Sequence, residues 1–148
     1  MKYEAIKWRV LENPKRPGEK CIGLITLNRP EALNAIDVKM RVELDILCDE
    51  IANSSHIKAV IITGEGRGFS AGGDLKTEAG PLGVTNEDFD FGDFGAYKEL
   101  ASFFFNDLRH EILQRAFRKL EDLPPIVIAA INGPAVGIGL ELCTLCDI

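Results

Sequence analysis

Hydrophobic residues recur along this chain with changing period, and each period marks an element. From Tyr3 to Val10 apolar and polar residues alternate as in a half-buried strand. Asn13 to Lys20 carries the proline, glycine and charges of a turn, and Cys21 to Leu27 is a second apolar strand, so the start reads as a hairpin. After Asn28-Arg29-Pro30 the period lengthens. Ile36, Met40, Leu44, Leu47, Cys48 and Ile51 fall at helical spacing with Asp, Glu and Lys between them, and Asn53-Ser54-Ser55 marks the end. Ala59 to Thr63 is an unbroken apolar run, predicted as a buried strand, and it leads into a glycine-rich turn from Gly64 to Leu75. The order then repeats: Pro124-Pro125, a strand from Ile126 to Ile131, a second glycine turn, a helix. Between the repeats, Thr77 to Gly95 mixes glycines, Pro81 and acids with Phe89, Phe91 and Phe94, which predicts a loop and leaves room for a substrate lid. From Lys98 onward Leu100, Phe103, Phe104, Leu108, Ile112, Leu113, Ala116, Phe117 and Leu120 return to helical spacing. That stripe reads first as core or subunit interface, with acyl-pocket lining by Phe103 to Phe105 as the alternative.

The second turn is the more informative of the pair. Ile131-Asn132-Gly133-Pro134-Ala135-Val136-Gly137-Ile138-Gly139-Leu140-Glu141-Leu142 sets glycines at the opening of an apolar helical run and places a carboxylate inside its first turns. The first peptide N–H groups of a helix lack an intrahelical partner and carry the positive end of the macrodipole, so an oxyanion is stabilised there, and glycine lets it come close. The first turn, Gly64-Glu65-Gly66-Arg67-Gly68-Phe69-Ser70-Ala71-Gly72-Gly73-Asp74-Leu75, has the same character, and the two can converge on one oxygen. The bland reading is that both only reverse the chain, which glycines do routinely. Neither turn has the Gly-x-x-x-x-Gly-Lys-Ser/Thr of a phosphate loop, nor the Gly-x-Gly-x-x-Gly of a dinucleotide fold.

Composition narrows the class further. With 148 residues and 46% hydrophobic content the chain can bury a core, and a single domain is expected. A net charge of −6, from 17 basic and 23 acidic residues, argues against a nucleic-acid surface. No apolar run reaches bilayer length and the start Met1-Lys2-Tyr3-Glu4 has no signal-peptide core, so the expected location is the cytoplasm. Cys21, Cys48, Cys143 and Cys146 sit in apolar contexts rather than in a disulfide framework. Cys143-x-x-Cys146 has no second pair or nearby His to complete a zinc set, so packed thiols are expected and no metal. His56 and His110 are isolated and read as solvated or capping residues.

Several ordered segments together resemble the crotonase superfamily, the enoyl-CoA hydratase/isomerase family: Gly23-Leu24-Ile25-Thr26-Leu27-Asn28-Arg29-Pro30, Ala32-Leu33-Asn34-Ala35, Gly68 to Leu75, Pro125 to Gly133, and Cys146-Asp147-Ile148. The resemblance implies an α/β fold, a crotonase-like spiral of repeated ββα units, with residues 1–148 as the N-terminal part of one domain truncated before the C-terminal helical region. It also implies that two backbone N–H groups hold a thioester carbonyl oxygen, and the matching positions here are Gly73 and Ile138. Both donors are main chain, so an Ile at the second is chemically tolerable. Hydration or isomerisation of an unsaturated thioester passes through an enolate, and oxyanion donors of this kind are worth roughly 3–4 kcal/mol each.

A proton carrier is needed as well, and Glu141 is the candidate. Three residues after Ile138 it falls on the same side of the helix. Walls of Leu140, Leu142 and Ile138 would desolvate the carboxyl and raise its pKa toward the working pH. The alternative is a solvated Glu that complements the helix dipole. The resembled hydratases use a second glutamate on the next turn downstream, beyond Ile148, so these residues do not complete a two-carboxylate mechanism.

The resemblance further implies coenzyme A as part of the substrate, no permanently bound cofactor, and a homo-oligomer, trimer or hexamer. Arg29, Ala32, Ala71, Asp74, Leu75 and Lys76 are the positions placed near coenzyme A or at the rim of its site. Arg29 and Lys76 read equally as surface charges, and Asp74 as a brace for its turn. The functional expectation is an acyl-CoA hydratase or isomerase. The alternatives are a noncatalytic acyl-CoA-binding or assembly fragment, left with open apolar surface or strand edge and so inclined to self-associate or take a companion fragment, and a hydrolase or other acyl-CoA enzyme on the same fold.

Overall fold

The computed structural model of the chain describes residues 3–74 and 111–148. Strand β1 (Ile6–Asn13) pairs antiparallel with β2 (Arg16–Leu27), β2 runs parallel to β3 (Ala59–Gly64), and β3 parallel to β4 (Ile126–Ala129), giving a mixed sheet in the order β1-β2-β3-β4. Beyond β4, Asp147 N–H donates to Val127 O at 2.8 Å and Ala129 N–H to Ile148 O at 2.8 Å, so the last residues run along its outer edge.

Helix α1 (Val38–Ala52) crosses between β2 and β3 and starts later than the apolar spacing suggests: Asp37 caps it, its Oδ1 accepting the Met40 N–H at 2.8 Å, and Ile36, expected at its opening, instead forms a bridge with Gly73. Met40, Leu44, Leu47 and Ile51, spaced by one helical turn, are all buried. They meet Ile6, Ile25, Leu27, Val60 and Ile62 of the sheet in one core, which also takes in Leu113, Ala116, Phe117 and Leu120 from helix α2 (residues 111–121) and Leu142 from α3 (Ile138–Thr144). The Glu43 carboxylate on α1 accepts the N–H groups of Glu4, Ala5 and Ile6 at 2.9–3.0 Å and so ties the start of β1 to the helix.

The hairpin differs from expectation. Residues Arg16 to Lys20, read as turn, extend β2, and only Pro14 and Lys15 lie between the strands. Register shifts at Leu11/Glu12 and Glu12/Asn13 let the ladder absorb Pro17 and Gly18 (φ +90°) as irregularities at its exposed tip, as bulges do. The strand expected over Ile126 to Ile131 ends at Ala129. The loop expected over Thr77 to Gly95, the first part of the helix expected from Lys98, and Phe103 to Phe105 lie outside the described residues.

Candidate active site

Both glycine turns leave the same end of the sheet, one after β3 and the other after β4, and they are bonded to each other. Phe69 and Ser70 N–H both donate to Pro134 O at 3.0 and 3.1 Å, and Val136 N–H returns to Ser70 O at 3.0 Å, forming a short parallel bridge between Ser70 and Ala135. Asn132 clamps the first turn from the second: its Oδ1 accepts the Gly64 N–H at 3.0 Å and its Nδ2 donates to Gly66 O at 2.9 Å. The approach is so close that a Cβ on Gly133 would lie 2.2 Å from Arg67 O and one on Gly139 would lie 2.6 Å from Ser70 Cβ. Glycine is what allows these backbones to touch.

Gly72 is the hinge of the junction. Its φ of +95° is a left-handed conformation, and a Cβ there would meet Val136 O at 2.8 Å and Ile138 N at 3.7 Å. Gly73 follows it, and Ile138 is the first residue of α3, entered through Gly137 (φ +53°) with no side-chain cap. Neither the Gly73 nor the Ile138 N–H forms a hydrogen bond among the described residues. The two sequence-predicted donors are thus carried on abutting turns, on either side of one close contact.

Polar side chains hold the first turn from beneath. Buried Asn34 (φ +55°) accepts the Arg29 N–H at 2.9 Å and donates to Glu65 O and Gly68 O, each at 2.9 Å. Buried Ser70 donates its hydroxyl to Asn34 O at 2.8 Å and accepts the Gly72 N–H at 3.2 Å. Ile36 N–H donates to Gly72 O at 2.7 Å and Asp74 N–H to Ile36 O at 3.3 Å, so the peptides flanking Gly73 are pinned to the segment before α1. Neither Asn34 nor Ser70 was among the expected site residues. The available signal was polar residues flanked by Leu33 and Phe69, at positions where apolar neighbours argue for burial.

Arg29, expected near coenzyme A, is drawn inward. Its Nη2 pairs with Asp74 at 2.8 Å, its Nε with Asp37 at 3.3 Å, and its Nη1 donates to Ala35 O at 2.7 Å. Ala71 is exposed, and its N–H donates to Leu33 O at 2.9 Å. Leu33, Arg67, Gly68, Ala71 and Pro134 enclose an apolar hollow of about 250 Å³ beside the junction. Arg67, absent from the expected set, is exposed at its rim and forms no ion pair among the described residues; a cation between the glycines of the turn was the signal for it. Ala32 ends the short 3-10 helix Pro30–Ala32 next to this hollow's Leu33, while Leu75 and Lys76 lie outside the described residues.

Glu141 sits in the first turn of α3, but the apolar walls expected around it do not form. Its side chain is exposed, Leu140 is 52% exposed, and Leu142 is buried in the core on another face. The reason is helical geometry: neighbours at i±1 point about 100° away, so flanking leucines cannot enclose a residue between them. The Glu141 carboxylate has no hydrogen-bond partner among the described residues.

The thiols of Cys143, in α3, and Cys146, just past its end, both bond back to carbonyls of α3. Cys143 Sγ donates to Gly139 O and Cys146 Sγ to Leu142 O, both at 3.3 Å, and burial pushes the Cys146 thiol up to about 11. His56 is exposed and shares a 2.9 Å contact with Ser54 Oγ; His110 lies outside the described residues. Among the described residues no helix is long and apolar enough to cross a membrane, and no cluster of His, Cys, Asp or Glu is arranged to hold a metal ion.

Sheet, crossing helix and paired glycine turns define the α/β crotonase fold, which solved structures share along nearly the whole chain. One is a Thermobifida fusca protein solved in complex with CoA, with a TM-score of 0.68 at 27% identity over 97% of this chain and 48% of that one. Residues 22–147 match the model of the enoyl-CoA hydratase/isomerase family, and the chain belongs to that family. A short-chain-enoyl-CoA hydratase of Clostridium acetobutylicum is 38% identical over 86% of this chain and 41% of its own length. A 1,2-epoxyphenylacetyl-CoA isomerase of Escherichia coli is 35% identical over 88% of this chain and 44% of its own length. The chain thus spans about two-fifths of the length of the curated relatives it matches.

Proposed function

We propose that the protein acts on enoyl-CoA thioesters as a hydratase or isomerase, through an enolate whose oxygen is held by the N–H groups of Gly73 and Ile138. The observation that carries this reading is the pair of unengaged N–H groups on abutting turns, in a chain of this family. Donors fixed by a rigid backbone cost no reorganisation when charge develops on the oxygen, which is where such sites gain their rate. Glu141 moves the proton. It lies one helical turn after Ile138, on the face that the thioester's α and β carbons would occupy. One carboxylate is enough for a proton shift along the acyl chain, which removes a proton at one carbon and returns it at another. The hollow at Leu33, Ala71 and Pro134 suits an apolar part of coenzyme A, with Ala32 beside it and Arg67 at its rim for a phosphate.

The test is turnover of a short trans-2-enoyl-CoA by the purified protein, followed through loss of the conjugated-thioester absorbance, with Glu141→Gln alongside. General acid–base catalysis contributes about a hundredfold to ten-thousandfold, so Glu141→Gln should slow turnover by at least about a hundredfold with the melting temperature unchanged. Equal rates for the two proteins would remove Glu141 from the mechanism. The exposure of Glu141 supports a second reading, an acyl-CoA-binding role without chemistry, which binding without turnover in the wild type would favour. The reading extends to a homo-oligomer, trimer or hexamer, for which the exposed apolar residues Ile126, Ile131, Val136, Leu140 and Ile148 are the support. Light scattering on the same sample reports the mass, and a monodisperse monomer would exclude it.

A further inference from the structure

We infer that Arg29 is a positioning residue for the Gly73 donor: it locks the bridge between Ile36 and the Gly72–Asp74 turn, rather than gripping the nucleotide end of the substrate. The inference rests on the oxyanion reading of Gly73 and adds to it the group that sets the donor's position.

The bridge has two bonds, Ile36 N–H to Gly72 O at 2.7 Å and Asp74 N–H to Ile36 O at 3.3 Å, and Gly73 lies between the peptides they hold. Arg29 grips this bridge from both strands. On one side Nη1 donates to the carbonyl of Ala35, the residue before Ile36, at 2.7 Å; on the other Nη2 pairs with the Asp74 carboxylate, the residue after Gly73, at 2.8 Å. The third nitrogen, Nε, pairs at 3.3 Å with Asp37, the cap of α1. The fork therefore joins the first turn to the helix that anchors it in the core. Side-chain exposures of 22% for Arg29 and 9% for Asp74 take the pair out of bulk water, where such contacts are weak. Each guanidinium nitrogen has an internal acceptor, so the group is oriented away from phosphate recognition. The Gly73 N–H shares its peptide with Gly72 O, which Ile36 N–H holds, and Ile36 N–H shares its peptide with Ala35 O, which Arg29 holds; the ion pair to Asp74 fixes the peptide on the other side of Gly73, so losing the fork frees both peptides to rotate.

The experiment compares Arg29→Met and Arg29→Lys with wild type on crotonyl-CoA and on crotonyl-pantetheine, which lacks the nucleotide. A small misplacement of a catalytic group costs up to about a hundredfold, so Arg29→Met should lower kcat about tenfold to a hundredfold on both substrates, with KM within about twofold. Lys is a point charge that cannot span all three acceptors, so Arg29→Lys should recover only part of kcat. Asp74→Asn should show the same split, and the double variant should be no worse than the poorer single one. A rise in KM confined to crotonyl-CoA, or an unchanged kcat, overturns the inference and returns Arg29 to coenzyme A binding. Should Arg29→Met not fold by circular dichroism, Arg29→Lys and Asp74→Asn carry the same comparison. Absence of turnover in the wild type refutes the parent reading instead, and the positioning claim is then decided by the Gly73 amide in a ¹⁵N–¹H spectrum. A shifted, faster-exchanging Gly73 signal in Arg29→Lys sustains it, and an unchanged signal overturns it.

Discussion

The layer formed by the sheet and α1 and the junction formed by the two glycine turns are built on opposite terms. In the layer, side chains do the work: Met40, Leu47, Ile25, Leu27 and Ile62 are fully buried, and their backbones stand apart by the width of those side chains. In the junction, backbone meets backbone, with no room for a Cβ at Gly72, Gly133 or Gly139, and cohesion comes from directional bonds by Asn34, Ser70, Asn132 and Arg29. Apolar packing is non-directional, so it supplies free energy but tolerates small shifts. Hydrogen bonds between rigid peptides supply less net free energy and much more positional precision. The molecule therefore keeps its stability in one region and its aim in the other.

A pair of substitutions separates these two properties. Leu47→Ala removes a fully buried side chain from the layer and should cost about 2–5 kcal/mol, read as a lower midpoint in urea, while the molecules that remain folded keep wild-type turnover. Gly72→Ala places a methyl group 2.8 Å from Val136 O at a φ of +95°. The strained backbone and the contact together should cost about 1–3 kcal/mol. Its larger consequence is geometric: the turns must part, carrying Gly73 away from Ile138, and turnover should fall by about a hundredfold or more. If Leu47→Ala loses activity in proportion to Gly72→Ala at equal folded fraction, stability and aim are not divided in this way.

The same division explains which parts were legible in the sequence. Periodicity reports side-chain burial, so α1, β3 and β4 were readable from Met40 to Ile51, Ala59 to Thr63 and Ile126 onward. The two turns were readable because glycines mark close approach. What escaped was whatever depended on residues distant in sequence. Arg29 looks like any surface arginine until the fold brings Asp74 beside it, and Asn34 looks like a turn residue although its side chain is buried among Arg29, Glu65 and Gly68. The exposure of Glu141 was in principle readable, since leucines at adjacent positions cannot wall one helical residue. The extension of β2 back to Arg16 was not, because Pro17 and Gly18 are local turn signals overridden by the ladder with β1.

Charge adds a smaller difference between the regions, at the seam between α1 and α2. The Asp45 side chain is 8% exposed; Arg115 reaches it at 2.7 Å and Lys119 at 2.9 Å, with Lys119 also on Asp49 at 2.7 Å. Burial alone would raise the Asp45 carboxyl, but the hydrogen bonds from Arg115 and Lys119 outweigh it and hold the group below its ordinary value of 3.8. A carboxyl with a depressed folded value contributes stability above its unfolded value and loses it as pH falls through the folded one. Lys119, which burial lowers and its bonds to Asp49 and Asp45 raise more strongly, works the other way: its contribution is complete below its ordinary 10.5 and fades as pH rises past that. The seam is thus at full strength between about pH 4 and pH 10. Arg115 is 58% exposed and screened by solvent, so Lys119 carries more of the effect, and Asp45→Asn should cost about 1–2 kcal/mol at neutral pH. Thermal melts of wild type and Asp45→Asn should converge as the pH is lowered below about 4, since protonation abolishes the charge that the substitution removes. Turnover near neutrality should be unchanged, because among the described residues Asp45, Asp49, Arg115 and Lys119 form no bond with either glycine turn; a stability gap that persists undiminished at about pH 3 would mean that packing rather than charge holds these helices together.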